Sequence, residues 1–133
     1  DYFAHWLDIG KKSSAEKLPK IFYVNWFRTD ENGRFLWPGY GENSRVLKWI
    51  FERCDNQVNA VDTPIGRLPA LSDLDRTGLE MPPANLDKLL SVDGEGWRAE
   101  IPLIEKHFAQ FGDRLPQGLR DEVKNLAARL ENK

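Results

Sequence analysis

Seven aromatic residues crowd the stretch from Phe22 to Tyr40, and an Asn-Gly pair sits in their midst. The run Ile21-Phe22-Tyr23-Val24-Asn25-Trp26-Phe27 is rich in β-branched and aromatic residues and reads as a buried strand. Asp30-Glu31-Asn32-Gly33 follows. Asn-Gly is a strong hairpin signal because both residues tolerate positive φ. Arg34-Phe35-Leu36-Trp37 is then the returning strand. Strand alternation sets Trp26 and Phe27 on opposite faces, so at least one of them belongs to a core.

The rest of the chain reads mainly as helix. Tyr2, Phe3, Trp6 and Leu7 fall at helical spacing, with Gly10 as the stop, and Lys11 to Lys17 is a polar loop. Pro38-Gly39-Tyr40-Gly41 is a tight loop. Asn43 or Ser44 caps a helix over about Arg45 to Arg53, with Val46, Leu47, Trp49 and Ile50 on its apolar side. Thr63 to Pro69 is a short extended piece, and residues 70–84 are loop-rich, broken by Pro82-Pro83. Asn85 caps a short helix with Leu86, Leu89 and Leu90. Trp97, Ile101, Ile104, Phe108 and Phe111 share one face of a longer helix that Gly112 ends. Pro116 opens the last helix, where Leu119, Val123, Leu126 and Leu130 repeat the pattern. The expected class is α+β: an aromatic β-hairpin with several helices, mostly helical toward the C-terminus.

Length and charge narrow the function. The 133 residues are enough for one domain with a real core. The chain begins at Asp1, and its only methionine is Met81, which predicts a segment of a longer protein. Nineteen basic and 21 acidic residues give a net charge of −2, against a dedicated nucleic-acid binder but not against binding one nucleotide. Cys54 is the single cysteine, so no internal disulfide can form, and a lone thiol fits a reducing compartment. No run reaches the apolar length of a membrane span.

The candidate site is Asn25-Trp26-Phe27-Arg28, the turn, and then Phe35-Leu36-Trp37-Pro38-Gly39-Tyr40-Gly41-Glu42-Asn43-Ser44-Arg45. It offers flat rings beside glycines. A purine has two π-faces and a polar edge. Rings supply stacking, about 1–3 kcal/mol per base. An Asn carboxamide carries donor and acceptor for the edge. Spacing alone also allows the plainer reading, in which these rings are hairpin and core packing.

The run from Val24 to Leu47, with Pro38-Gly39-Tyr40-Gly41-Glu42-Asn43-Ser44-Arg45 at its heart, resembles the guanine-binding region of GTP-dependent phosphoenolpyruvate carboxykinases. Leu18 to Phe22, Thr63 to Gly66, Asp1-Tyr2 with His5-Trp6-Leu7, and the two closing helices are also similar. The likeness covers essentially the whole chain. It implies the C-terminal portion of a larger α/β enzyme, in one segment: a guanine-binding hairpin and helix region over 1–69 and a helical region over 70–133. It implies that Phe27, Phe35 and Tyr40 hold the guanine of GTP between rings and that Asn43 contacts its edge. The family usually has Phe where this chain has Tyr40.

The resemblance also implies what lies elsewhere. The family's phosphate loop, manganese ligands, phosphoenolpyruvate-binding arginines and lid precede this segment, so no catalytic and no metal-ligating residue is assigned here. GTP and GDP are substrate and product, with Mn2+, and Mg2+ on the nucleotide, held by the rest of the protein. The partners implied are a guanine nucleotide and the N-terminal part of the same enzyme, with neither nucleic acid nor membrane, in the cytoplasm. The segment alone is expected to be inactive and to self-associate.

From the residues themselves, His5 and His107 lack neighbours at ligand spacing; His5 reads as structural and His107 as an ordinary amphipathic-helix residue. Cys54 has no base or orienting group beside it. Arg28 and Arg45 flank the pocket and read as structural ion pairs, with phosphate contact as the alternative. Glu42 suits the positive end of a helix. Asp121, Glu122, Lys124 and Arg129 read as solvated faces. Two other classes remain open: a single-stranded nucleic-acid-binding module that stacks bases on the hairpin, and a protein-interaction domain.

Overall fold

The computed structural model describes residues 2–132; Asp1, grouped above with Tyr2, lies outside them. The elements are α1 (Tyr2–Lys11), α2 (Asn43–Cys54), β1 (Val61–Thr63), β2 (Gly66–Leu68), α3 (Pro83–Leu90), α4 (Gly94–Ala109) and α5 (Gln117–Glu131). The class is α+β, as expected. The chain divides into two compact units, one of Lys20–Val92 and the other of residues 2–19 with 93–132.

In the Lys20–Val92 unit, the expected aromatic hairpin forms its turn but hardly any ladder. Gly33 N–H donates to the Asp30 carbonyl at 3.1 Å, and Gly33 takes φ 75°. The Asp30 carboxylate accepts from the N–H groups of Asn32 and Arg34. Asp30 N–H reaches Arg34 O at 2.9 Å and Leu36 N–H reaches Arg28 O at 2.9 Å, around a single bridge between Thr29 and Phe35. Continued in that register, Trp26 would face Pro38 and Asn25 would face Gly39. Pro38 has no N–H to donate. Gly39 and Tyr40 have φ of 76° and 47° and leave the extended conformation. The predicted strand Ile21–Phe27 is therefore extended but unladdered, and the described ladder lies elsewhere. It is the antiparallel ribbon β1–β2, with Val61 opposite Leu68 and Thr63 opposite Gly66, in the stretch read as a short extended piece.

The side chains of residues 21–27 still alternate. Phe22, Val24 and Trp26 are half-buried, while Ile21, Tyr23, Asn25 and Phe27 are exposed. Phe22 and Trp26 pack on a core of Trp37, Trp49, Leu74 and Leu86. α2 contributes Val46, Trp49 and Ile50, which share a face at i, i+3 and i+4. Leu47, expected with them, points away and is exposed. α2 starts two residues earlier than read. Neither Asn43 nor Ser44 caps it; both lie in its first turn behind Glu42. At its other end the Lys20 ammonium donates to the carbonyls of Arg53 (2.8 Å) and Cys54 (3.0 Å), a cation where the helix dipole is negative. α3 likewise opens at Pro83, whose missing N–H costs nothing in a first turn. Asn85, read as its cap, is inside it.

In the other unit the periodic faces behave largely as the sequence predicts, except that α4 ends at Ala109, short of Gly112, and leaves Phe111 beyond it and exposed. Trp97, Ile101, Ile104 and Phe108 are half-buried along α4, and Val123 and Leu130 are buried on α5. Arg98 of α4 donates to the Leu130 carbonyl at 3.1 Å. The Asp93 carboxylate caps α4 by accepting from Gly96 N–H at 2.9 Å. A Cβ on Gly96 would sit 2.5 Å from that carboxylate, so a larger residue there would displace the capping side chain. Leu7 of α1 closes on Gly118 of α5, where an added Cβ would meet it at 3.1 Å.

Several electrostatic ties cross the Lys20–Val92 unit, among them Lys88 to Glu31 and Lys48 to Asp75. Lys48 of α2 donates to the Asp75 carboxylate at 3.0 Å. That bond, helped by the Thr77 N–H, holds the Asp75 carboxyl down to about 2 from its ordinary 3.8. A carboxyl depressed on folding stabilises the fold above its unfolded value, and that contribution disappears as pH falls toward the folded one. We expect Asp75→Asn to lower the denaturation midpoint near neutral pH and to converge on the parent as pH falls from about 4 to about 2. Parallel curves across that window would show that the ion pair does not hold the loop.

Candidate functional site

The unit's large rings sort by side. Trp26 and Trp37 turn inward, and Phe27, Phe35 and Tyr40 turn outward. Of the Trp26 and Phe27 pair, Trp26 is the core member, as alternation requires. Phe27 is 71% exposed and Phe35 is 62% exposed. The turn brings these two together, with ring centroids 5.9 Å apart and planes at 61°. A flat ligand on one ring would therefore meet the edge of the other. Phe27 is steered by its own strand, since its N–H donates to the Asn25 side-chain oxygen at 3.0 Å.

Tyr40 stands apart from that pair. Its side chain is 99% exposed, and among the described residues its ring touches no other. Its φ of 47° is left-handed, a conformation that costs a non-glycine residue about 1–2 kcal/mol. A bulky ring held in an unfavourable backbone state and wholly in solvent gains nothing from folding. Strain of this kind concentrates where binding needs it.

Asn43 lies just beyond, half-buried in the first turn of α2. Its Oδ1 accepts from the Trp37 indole N–H at 2.8 Å. Among the described residues its Nδ2 has no hydrogen-bond partner. This use of Trp37 was missed from sequence. The available signal was general: a buried indole N–H seeks an acceptor.

The two arginines have structural work. Arg45 engages the carboxylate of Glu42 and donates to the Asp75 carbonyl at 2.9 Å. This is the ion pair expected of it. Glu42 is thereby turned to Arg45, and its side chain does not cap the helix. Among the described residues Arg28 makes no ion pair; it donates to the carbonyls of Ser91 at 3.1 Å and Leu89 at 3.4 Å, at the C-terminal end of α3. Cys54 is exposed at the end of α2. His5 lies against Trp6, and His107 lies beside Phe108 and Phe111. Among the described residues no group of three or more His, Cys, Asp or Glu side chains could hold a metal. No described helix is long and apolar enough to cross a membrane. A shallow apolar concavity of about 340 Å³ between the β1–β2 ribbon and α3 touches none of Phe27, Phe35, Tyr40 or Asn43.

Three outward rings and a carboxamide with one unpartnered end are groups that could receive a flat, polar-edged ligand. Comparison with known proteins places the chain more closely. A family model described as the phosphoenolpyruvate carboxykinase C-terminal P-loop domain matches residues 1–129, and the chain belongs to that family. It is 55% identical to the phosphoenolpyruvate carboxykinase [GTP] of Treponema pallidum (strain Nichols) over 98% of this chain and 21% of that protein. It is 52% identical to the protein of the same name from Neocallimastix frontalis, over 98% of this chain and 22% of that one. The Arthrobacter sp. (strain FB24) protein, also so named, is 47% identical over 98% of this chain and 21% of its own length. The chain thus spans about a fifth of the length of the curated relatives it matches.

Strain at Tyr40 yields a stability test. Tyr40→Gly relieves the left-handed conformation without removing a buried contact. We expect it to leave chemical-denaturation stability equal or higher by up to about 1 kcal/mol. A loss larger than that would mean that the ring packs in the free protein.

Proposed function

We propose that this chain is the guanine-holding part of a GTP-dependent phosphoenolpyruvate carboxykinase. The whole protein would be a lyase of gluconeogenesis, acting in the cytoplasm, that converts oxaloacetate and GTP to phosphoenolpyruvate, carbon dioxide and GDP. The observations that carry the reading are the outward rings of Phe27, Phe35 and Tyr40 and the half-free carboxamide of Asn43 in the first turn of α2. The names of the relatives add the nucleotide.

In this reading the base lies against the Phe27 and Phe35 pair, and Tyr40 closes on its other side. Each stacking ring contributes about 1–3 kcal/mol. The Tyr40 hydroxyl stays in water, so a ring of this size serves as well as phenylalanine. Asn43 meets the polar edge. Holding the base fixes where the triphosphate can reach, which is how binding remote from the reacting atoms assists transfer. The reaction would draw on manganese to stabilise an enolate and the transferring phosphoryl group. By the family resemblance its ligands belong to the rest of the protein, and this segment alone would be inactive. The exposed Tyr2, Phe3 and Trp6 on α1 make self-association of the isolated segment the expected behaviour.

The first test is oxaloacetate-dependent phosphoenolpyruvate formation by the full-length protein with manganese, comparing GTP with ATP. Preference for GTP is the expected result. Activity with ATP alone would remove the guanine assignment. Inactivity with both would return the aromatic surface to a single-strand-binding or protein-interaction role, distinguished by a steep or flat salt dependence. A second test uses Phe27→Ala, expected to raise KM for GTP by about tenfold or more while KM for oxaloacetate stays within about twofold. Equal loss for both substrates would indicate misfolding instead of a lost stacking ring.

A further inference from the structure

We propose that Trp37 is the positioning residue that makes this site prefer guanine over adenine, because its indole fixes which end of the Asn43 carboxamide faces the ligand. The inference rests on the guanine reading given above and extends it from Asn43 to the residue behind it.

The rings cannot supply this preference. Every base presents a π-face, so stacking tolerates all of them. Discrimination has to come from the polar edge. Guanine carries an acceptor, O6, where adenine carries an amino donor. A lone Asn side chain cannot tell them apart, because its carboxamide offers an oxygen or an NH2 group depending on rotation about its last bond.

Trp37 removes that freedom. The indole Nε1–H is a donor only. At 2.8 Å from Asn43 it can face the carboxamide oxygen and nothing else. The reversed carboxamide would set NH2 against N–H at the same distance. The orientation follows from the chemistry of the partner. The indole itself cannot turn to accommodate a reversal, since Trp37 is only 7% exposed and packs in the core with Trp49, Leu74 and Leu86. With Oδ1 held, the NH2 group of Asn43 is left without a partner among the described residues. It is a fixed donor, matched to guanine O6 and opposed to the adenine amino group. Burial alone does not provide an indole with an acceptor: the Trp49 Nε1 in the same core has none among the described residues.

Releasing the lock should therefore do more than weaken binding. A carboxamide free to rotate can present its oxygen to adenine, so ATP should improve as GTP worsens. Loss of fold stability would lower both.

The experiment is a four-variant cycle in the full-length protein: parent, Trp37→Phe, Asn43→Ala and the double variant. The readout is the ratio of kcat/KM for GTP to that for ATP. Trp37→Phe is expected to lower the ratio about tenfold, the worth of one ordered hydrogen bond, with KM for ATP falling and KM for GTP rising. In the Asn43→Ala background it should change the ratio no further, since the residue it positions is gone. A ratio unchanged by Trp37→Phe but lost in Asn43→Ala would overturn the inference and leave the guanine reading standing. A ratio unchanged by Asn43→Ala would overturn both. An equal fall in the two backgrounds would show that Trp37 acts only through the core. Should Trp37→Phe fail to fold, benzothienylalanine at position 37 replaces the N–H by sulfur at nearly the same volume, and the same ratio decides.

Discussion

The buried ring of Trp37 is the point on which the outward face of the Lys20–Val92 unit depends. One side of it packs with Trp49 of α2, Leu74 of the following loop and Leu86 of α3. Its indole N–H reaches the first turn of α2 at Asn43. Its backbone follows directly on Leu36, whose N–H closes the hairpin onto Arg28. Hairpin, helix start and core therefore meet at one residue. Phe35 lies two residues before it and Tyr40 three residues after it, so both rings leave the core from a fixed base.

That arrangement explains why the ladder is so short. A longer hairpin would need an extended chain through Pro38, Gly39 and Tyr40. Proline removes a ladder donor, and the two positive φ values turn the chain sharply into α2. The backbone gives up sheet pairing over residues 21–27 and gains a tight corner that exposes Tyr40. Arg45 braces the corner from within the helix through Glu42 and the Asp75 carbonyl. An arginine with the right chemistry for a phosphate is committed to holding the loop.

The sequence made the helical half legible because its signal is periodic and local. Trp97, Ile101, Ile104 and Phe108 could hardly share a face in any other way, and burial follows it. The aromatic stretch was legible as alternation but not as pairing. Alternation is a property of one segment, whereas a ladder needs a second backbone in register, and Pro38 and Tyr40 deny it. Caps were misplaced for a related reason. Asn43 and Ser44 have the chemistry of N-caps, but a third claimant, the Trp37 indole, takes the Asn43 oxygen, and the Ser44 hydroxyl donates to the Gly41 carbonyl at 2.7 Å. Of the four residues singled out for the base, the rings could be named from residue type and resemblance. The fixed orientation of Asn43 could not, since it arises from a contact six residues away that residue type does not announce.

Affinity and selectivity then separate physically on the proposed reading. Exposed rings gain free energy from any base by covering apolar surface, and they can be strained or loosely held without losing that gain. A discriminating donor must be rigid, since a group that rotates to suit its ligand gives the same energy to both. The outward rings of Phe27, Phe35 and Tyr40 are the least buried part of the site, and the Trp37–Asn43 bond is anchored in the most buried part. The order of burial matches the order of precision that each task requires.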